Sequence, residues 1–431
     1  MYEQIIALIH QEVKPALGCT EPVAVALAAA KSCEILAGTG EIPSRIEAAV
    51  SANILKNGMG VGIPGTGMTG LDIAVALASV CGRSEYGLEV LKDMTPSSLQ
   101  QAKGLIGEGR IKIILADTDE KLYVRVRATS AAHYAEAVVS GSHDNISGAY
   151  LDGKSLGSFQ EKTSGSRAHS PHIPEGAARR LAVADIWDFA NNVPLEDIEF
   201  LLESVTMNKA LVKEGLEREY GLKVGRTIAN PENSVFYGDS LLAYAMSCTA
   251  AATDARMAGS TLPAMSNSGS GNQGITVTVP VIAVAEKIGS TREQLIRALA
   301  IAHTVAIHIK GHLGKLSALC GCVVASTGAA CGIIYLKGGG YDEICSAIKN
   351  MIGNITGMVC DGAKVGCALK VASGVACAMQ SALLALEGTC ISPNDGIIEK
   401  DVEKTISNLG RIGSIGMQVT DKMILDIMEC K

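Results

Sequence analysis

The chain alternates long apolar stretches with short glycine-rich loops, and most of the apolar spacing is helical. Residues 2–14 carry apolar side chains three or four positions apart and end at Pro15, which predicts a helix. The same pattern predicts the helices at residues 20–36, 96–107, 174–190, 196–220, 238–258, 275–285, 291–308, 366–387, 399–409 and 415–428.

A shorter region has the two-residue alternation of strands. Residues 122–129 alternate apolar and polar side chains, and residues 111–116 and 134–140 have the same strand texture. Residues 45–52 and 149–151 are further short strand candidates.

These elements predict an α+β protein that is predominantly helical. We expect a large helical domain over residues 1–85 and 165–431, with a small α/β domain inserted at residues 86–164. The polar residues 153–172 are predicted to be a linker.

The region from Leu316 to Leu336 contains no charged residue and is long enough to cross a bilayer. It is rich in small residues and has one aromatic side chain, so we interpret it as a buried helix or helix pair. Membrane insertion is the minor alternative.

Composition narrows the class of protein. Hydrophobic residues make up 48% of the 431 positions but aromatic residues only 3%, which suits closely packed helices of Ala, Val, Ile and Leu. The net charge of −7 gives no general attraction to nucleic acid or anionic lipid. The N-terminus lacks a basic segment, and the 13 cysteines are too sparse for a disulfide scaffold, so we expect reduced thiols in the cytoplasm.

Two glycine loops are candidates for binding a small anion. Residues 53–70 include a formal G-x-G-x-x-G at Gly65–Gly70, but it follows another glycine loop and not a strand, which argues against a dinucleotide site. Residues 265–274 form a Ser/Gly/Asn loop that opens an apolar helix, and free amides there can bind a carboxylate. A plain loop and a flexible linker are the respective alternatives.

Gly18-Cys19-Thr20-Glu21-Pro22 has the composition of a helix start, with Thr20 as the expected N-cap. Cys19 then lies at the positive end of the helix dipole, which favours the thiolate. A loop cysteine without a role is an equally weighted interpretation.

Three cysteines, Cys320, Cys360 and Cys367, each stand next to a glycine. Their separations contain no C-x-x-C pair, which argues against a zinc ribbon or a thioredoxin-type site. Three thiolates are one ligand short of a closed four-cysteine cluster, and the open iron of such a cluster can act as a Lewis acid. From these residues alone, buried structural cysteines in small-residue helices are the favoured alternative.

Taken together, Gly18–Pro22, Ser266–Gly274 and the three cysteines resemble the L-cysteine desulfidase family, within the superfamily of iron–sulfur serine dehydratase alpha chains. The resemblance covers essentially the whole chain. It implies a lyase that converts L-cysteine to pyruvate, ammonia and hydrogen sulfide with a [4Fe–4S] cluster and without pyridoxal phosphate.

The resemblance also implies roles for individual residues. Cys320, Cys360 and Cys367 would be the cluster ligands, and Cys19 the catalytic base. The loops and the segment before Cys320 offer donors for the substrate carboxylate, and these candidates are Asn53, Asn57, Ser268, Ser270, Asn272 and Lys310. His312 and Lys315 could bind the carboxylate or tune the cluster, and solvated surface charge is the alternative for both.

Two other functions stay open at this point. One is L-serine dehydration by the same chemistry, and the other is a non-catalytic metal or redox protein. For partners we expect a small amino-acid substrate and a second copy of the chain in a homodimer, with neither nucleic acid nor membrane. The penultimate Cys430 is a candidate to occupy the open iron in the resting state, although an incidental terminal cysteine is the simpler interpretation.

Overall fold

The computed structural model describes residues 1–157, 176–314 and 317–430. They form two compact units, which we call the helical unit (residues 1–18, 176–314, 317–361 and 365–430) and the α/β unit (residues 19–157 and 362–364). The protein is α+β and predominantly helical, as predicted.

The α/β unit contains four helices and six strands in chain order. They are α2 (Thr20–Ala37), β2 (Arg45–Val50), α3 (Ala52–Gly58), α4 (Leu71–Cys81), α5 (Pro96–Gly107), β3 (Ile111–Leu115), β4 (Tyr123–Thr129), β5 (Tyr134–Ser140), β6 (Ile146–Leu151) and β7 (Lys154–Ser155).

The strands form one sheet in the order β3-β2-β4-β5-β6-β7. β2 pairs in parallel with β3 and antiparallel with β4, so it is an interior strand, next to the edge strand β3. Val124, Val126 and Ala128 of β4 are buried where α2 covers the sheet, while Arg125 and Arg127 are exposed. This alternation confirms the strand pattern seen in the sequence.

The observed α/β unit is larger than the expected inserted domain. It begins at Cys19 and not at residue 86, because β2 supplies two of the strand pairings and α2 covers the same sheet. The expected end at residue 164, and most of the predicted linker, lie outside the described residues.

The helical unit contains the remaining elements. They are α1 (Tyr2–Glu12), β1 (Pro15–Ala16), α6 (Ala177–Arg180), α7 (Val183–Asn192), α8 (Leu195–Ile198), α9 (Leu202–Glu217), α10 (Val224–Ala229), α11 (Ser234–Tyr237), α12 (Leu241–Met257), β8 (Ala264–Met265), α13 (Gly271–Ile288), α14 (Arg292–Leu313), α15 (Gly321–Leu336), α16 (Tyr341–Ile355), α17 (Cys367–Leu386), α18 (Val402–Arg411) and α19 (Gln418–Glu429).

Helix α15 lies in the core of the helical unit. Fourteen of its residues are buried, and it packs against α13, α14, α16 and α17. Gly328 lets α14 approach closely, because a Cβ atom there would meet the backbone oxygen of Ala302 and lie 3.1 Å from Ala306 Cβ. The prediction of a buried helix is thus confirmed over Gly321–Leu336, while Leu316 lies outside the described residues.

One described helix, α17, is long and apolar enough to cross a membrane by length and composition, and half of that window is buried inside the protein. It packs against α12, α15 and α16. Helices of this kind also occur in the cores of soluble proteins.

Two of the longer helices, α4 and α16, were not among those predicted. α16 places its buried Ile344, Ile348 and Ile352 at four-residue intervals, and α4 is apolar along most of its length. Both patterns are present in the sequence, but glycines and cysteines on either side obscured them.

Candidate functional site

Two of the three predicted ligand cysteines are held side by side by backbone pairing. Leu319 and Val359 form an antiparallel bridge. Next to it, the Cys320 amide donates to Met358 O at 2.9 Å and the Cys360 amide donates to Ala318 O at 2.6 Å. The bridge brings together two cysteines that are 40 positions apart in the chain.

The two thiols interact directly. A hydrogen bond with Cys360 raises the pKa of the Cys320 thiol well above its usual value, and burial and the nearby Cys322 add to the effect. Two adjacent thiols, here the buried Cys320 and the half-buried Cys360, cannot both ionise at neutral pH unless a cation compensates their charge. A bound metal supplies that compensation, since coordination deprotonates a thiol outright.

The third predicted ligand, Cys367, is the first residue of α17, and Cys320 is the N-cap of α15. The two helices pack against each other. Cys322 lies between them, where its thiol donates to Lys370 O at 3.2 Å and senses the charge of Cys367. Burial raises the pKa of Cys322 to about 12, so this thiol is a packing group with its own acceptor.

Lys370 places a positive charge beside the thiols, and sequence reasoning missed it. Its Nζ atom donates to Val359 O at 2.8 Å and contacts Asp361 Oδ1. Burial by itself would lower the pKa of Lys370, but the bond to Asp361 and the proximity of Cys320 and Cys360 outweigh it and raise the pKa. The ammonium group therefore favours negative charge at this position.

The Ser/Gly segment at residues 266–274 is ordered: residues 266–270 form a turn, and residues 271–274 are the first turn of α13. Asn267 Nδ2 donates to His303 Nδ1 at 3.1 Å and to His303 O at 3.2 Å. Nδ1 of His303 is thus an acceptor, so Nε2 of the same ring carries the hydrogen. Nε2 is 3.3 Å from Thr278 Oγ1, to which it donates. Burial lowers the pKa of His303 to about 3, which keeps the ring neutral.

The three candidates in this loop are engaged within the protein. Ser270 is the N-cap of α13, and its Oγ atom accepts a hydrogen bond from the backbone amide of Gln273 at 3.3 Å. Ser268 Oγ donates to Asn267 Oδ1 at 2.9 Å. Asn272 Oδ1 accepts from Arg256 Nη1 at 3.0 Å. These contacts shape the loop. Most of its backbone amides also donate within the protein, so the amides of Gly269, Gly271 and Asn272 are the better candidates for an anion.

Two buried polar atoms near this loop lack partners among the residues that the structure describes. Gln273 Oε1 is one of them, and the Gln273 side chain lies against Gly321, where a Cβ atom would be 2.8 Å from the amide carbon. Arg256 Nε is the other, although Arg256 Nη2 donates to Gly18 O at 2.7 Å. The sequence could have flagged Arg256 as a charged residue in an alanine-rich helix, but Gln273 carried no signal.

Lys310 lies half-buried in the last turn of α14. Lys315 lies outside the described residues. Cys430 is exposed at the end of α19, so its docking at an open iron stays a prediction.

The candidates in the α/β unit are Cys19, Asn53 and Asn57. Cys19, and not the expected Thr20, is the N-cap of α2, because Cys19 has extended backbone angles and Thr20 is already helical. The buried Cys19 thiol donates to Glu21 Oε2 at 2.8 Å. Glu21 was part of the motif, but its contact with the thiol was not foreseen.

Asn53 and Asn57 are half-buried and four residues apart on α3. A glycine loop was expected here, and the structure has a helix because Ile54 and Leu55 are buried and Gly58 packs on Leu71. The G-x-G-x-x-G residues, Gly65–Gly70, form a tight turn together with the residues just before them, and the pairing of Gly62 with Thr69 closes it. This turn follows no strand, in agreement with the rejection of a dinucleotide site.

Comparison with known proteins identifies a family and several bacterial relatives that match the full length of the chain. Residues 85–426 match the family described as "Serine dehydratase alpha chain". A "UPF0597 protein" of Bacteroides thetaiotaomicron is 50% identical over 430 residues, covering 100% of this chain and 98% of that protein.

Two further relatives share the printed name "UPF0597 protein". The one from Parabacteroides distasonis is 49% identical over 428 residues, and the one from Shewanella pealeana is 43% identical over 429 residues. Both alignments cover 99% of this chain and 98% of the relative. The chain belongs to the serine dehydratase alpha-chain family.

Proposed function

We propose that this protein is a cytoplasmic iron–sulfur lyase that converts L-cysteine and water to pyruvate, ammonia and hydrogen sulfide. The observation that carries the proposal is the paired arrangement of Cys320 and Cys360, with Cys367 at the start of a helix that packs against α15. Family membership supports the same chemistry.

The three thiols fit a [4Fe–4S] cluster with one iron left without a protein ligand. Cys320 and Cys360 are close enough to share a proton, and Lys370 supplies a nearby positive charge that favours an anionic cluster. When bound, the cluster would supply a Lewis acid for the departing sulfur or oxygen. Pyridoxal phosphate is not part of the proposed reaction.

The side chains of this protein perform the remaining steps. Glu21 holds the neutral Cys19 thiol through the 2.8 Å hydrogen bond and accepts its proton. The resulting Cys19 thiolate then removes the proton from Cα. The electrons of the Cα–H bond form the Cα=Cβ double bond, the Cβ–S bond breaks, and the sulfur leaves as hydrosulfide, which takes up one proton to become hydrogen sulfide. The product aminoacrylate tautomerises to the imine, which water hydrolyses to pyruvate and ammonia.

Substrate binding is assigned to groups that can pair with an amino acid. The backbone amides of Gly269, Gly271 and Asn272 and the Arg256 guanidinium are donors for its carboxylate. Gln273 Oε1 is an acceptor for its ammonium group. The candidates Asn53, Asn57, Ser268, Ser270, Asn272 and Lys310 remain proposals for this role. We also propose that the protein works as a homodimer.

The family description favours L-serine as the second candidate substrate. Hydroxide and thiol leave by the same β-elimination, so the two substrates differ only in the leaving atom. Sulfur is the softer ligand, and this property favours L-cysteine at an iron centre.

The proposal is tested with protein purified without oxygen. Iron and acid-labile sulfide are measured first, and pyruvate formation is then followed separately with L-cysteine and L-serine. We expect about four irons per chain and a higher kcat/KM with L-cysteine. Iron-free protein with full activity would overturn the mechanism, and a higher kcat/KM with L-serine would reassign the substrate.

A further inference from the structure

A group of metal-binding side chains lies on α14 and α18, apart from the cysteines already described. His308 and His312 are one turn apart on α14, and Glu403 is in the first turn of α18. One ligand atom from each lies within 4.8 Å of the other two. His308 Nε2 is 2.8 Å from Glu403 Oε2.

The hydrogen bonds of His308 fix which nitrogen carries a proton. Its Nδ1 atom is 3.0 Å from Ala178 O, and a carbonyl oxygen only accepts, so Nδ1 is protonated. In the neutral ring, Nε2 then directs a lone pair at the Glu403 carboxylate. Two lone pairs repel at this distance unless a proton or a cation lies between them.

His312 supplies the second observation. Its Nε2 atom is buried and has no hydrogen-bond partner among the described residues. The rings of His308 and His312 are T-shaped, with centroids 5.1 Å apart. A buried ring nitrogen without a partner is costly, and a metal ion would satisfy it together with the lone pair of His308.

The surrounding groups have the form of a second coordination shell. Ala178 O orients His308 through its Nδ1 hydrogen, and the Val183 amide donates to Glu403 Oε1 at 2.7 Å. Metal-bound histidines and carboxylates are commonly oriented in this way. The positive charge of the exposed Arg179 disfavours a cation near His312. The negative charge of Glu403 offsets this effect.

We propose that His308, His312 and Glu403 bind one divalent cation of the zinc class. Two imidazoles and one carboxylate form a donor set that suits zinc, whereas calcium and magnesium prefer oxygen donors. Three protein ligands leave the fourth tetrahedral position to water. The ion would join α14 to α18 and, through Ala178 and Val183, to α6 and the start of α7. The inference is independent of the proposed lyase activity.

The test uses the intact protein, purified without oxygen, washed with EDTA and given one equivalent of Zn²⁺. Zinc content after desalting is measured together with the X-ray absorption spectrum at the zinc edge. Thiolate ligands lie at about 2.3 Å from zinc and nitrogen or oxygen ligands at about 2.0–2.1 Å, so binding at the cysteines is distinguished from binding at this site.

We expect wild-type protein to retain one zinc in a nitrogen/oxygen shell. His312→Ala and Glu403→Gln should each weaken zinc binding at least ~10-fold. Gln at position 403 keeps the volume and the bond to the Val183 amide, so this variant decides the question if His312→Ala does not fold. The matched control is His133→Ala. Half-buried His133 pairs with Asp152 at 2.7 Å, but the pair belongs to no three-residue metal-binding group among the described residues.

Three results would overturn the proposal. They are no retained zinc in wild-type protein, a shell of sulfur alone, and equal zinc affinity in wild-type protein and Glu403→Gln. Any of them would leave His308 and Glu403 as an imidazolium–carboxylate ion pair. Unchanged zinc binding in His133→Ala, with loss in the other two variants, supports the site.

Discussion

The thiol of Cys19 donates a hydrogen bond to the carboxylate of Glu21, with 2.8 Å between Sγ and Oε2. Cys19 is the N-cap of α2, and Glu21 is in its first turn. Since an ionised carboxylate only accepts, the contact orients the neutral thiol and offers an acceptor for its proton. Glu21 is therefore a positioning residue for the proposed base.

Replacement of the base should separate catalysis from cluster binding. Cys19→Ser should lower kcat by about 10²–10⁴, because an alcohol is a far weaker base at neutral pH, while iron content stays unchanged. Glu21→Gln should cause a smaller loss and shift the pH profile of kcat. Pyruvate assays without oxygen measure both.

The control for this pair is Cys81→Ser, a half-buried cysteine of the same unit whose thiol donates to Leu77 O. Its activity should match wild type. Near-normal turnover in Cys19→Ser would transfer the role of base, with Lys56 and Lys310 as the next residues to test.

The ligand assignment predicts which cysteines hold iron. Cys320→Ala, Cys360→Ala and Cys367→Ala should each lose most of the about four irons per chain. Cys345→Ala and Cys390→Ala should keep them. Iron analysis and visible absorption of protein prepared without oxygen check the prediction, which fails if all five variants retain full iron.

Gln273 tests whether its buried Oε1 atom serves the substrate. Gln273→Met should raise KM about tenfold, the equivalent of ~1.4 kcal/mol, with iron content unchanged. The control is Gln101→Met, the same change at an exposed position on α5, and it should leave KM unchanged. An unchanged KM together with a more stable protein would instead mean that Oε1 is a purely structural cost.

Asp254 predicts a pH-dependent stability. It is 1% exposed, and burial raises its pKa to about 6, although the Gly225 amide donates to Oδ2 at 3.0 Å. Because the unfolded carboxyl has a pKa near 3.9, the folded state binds more protons between about pH 4 and pH 6. The contribution of Asp254 to stability therefore falls as pH rises through this range and is constant above it.

Asp254→Asn should remove this dependence. The variant should be more stable than wild type by up to about 3 kcal/mol at pH 7.5, with an advantage that shrinks by about 1–2 kcal/mol at pH 5. Urea unfolding at the two pH values measures the difference. An advantage of the same size at both values would contradict the raised pKa.

Sequence alone determined the fold class and most of the elements. The alternation of residues 122–129 specified β4, and the uncharged stretch before residue 336 specified a buried helix, because local spacing decides which side chains can share a face. The three cysteines and the Gly18–Pro22 motif were likewise recognisable from their neighbours. They led to the serine dehydratase alpha-chain family, which the comparisons confirm.

The tertiary structure decided how distant residues meet. The bridge between Leu319 and Val359 pairs Cys320 with Cys360. β2 belongs to the sheet of the α/β unit although the strands that it pairs with lie more than 60 positions away in the chain. Spacing along the chain carries no information on such pairings, which depend on packing between elements. The same holds for Glu403, since only the packing of α18 on α14 brings its carboxylate to His308.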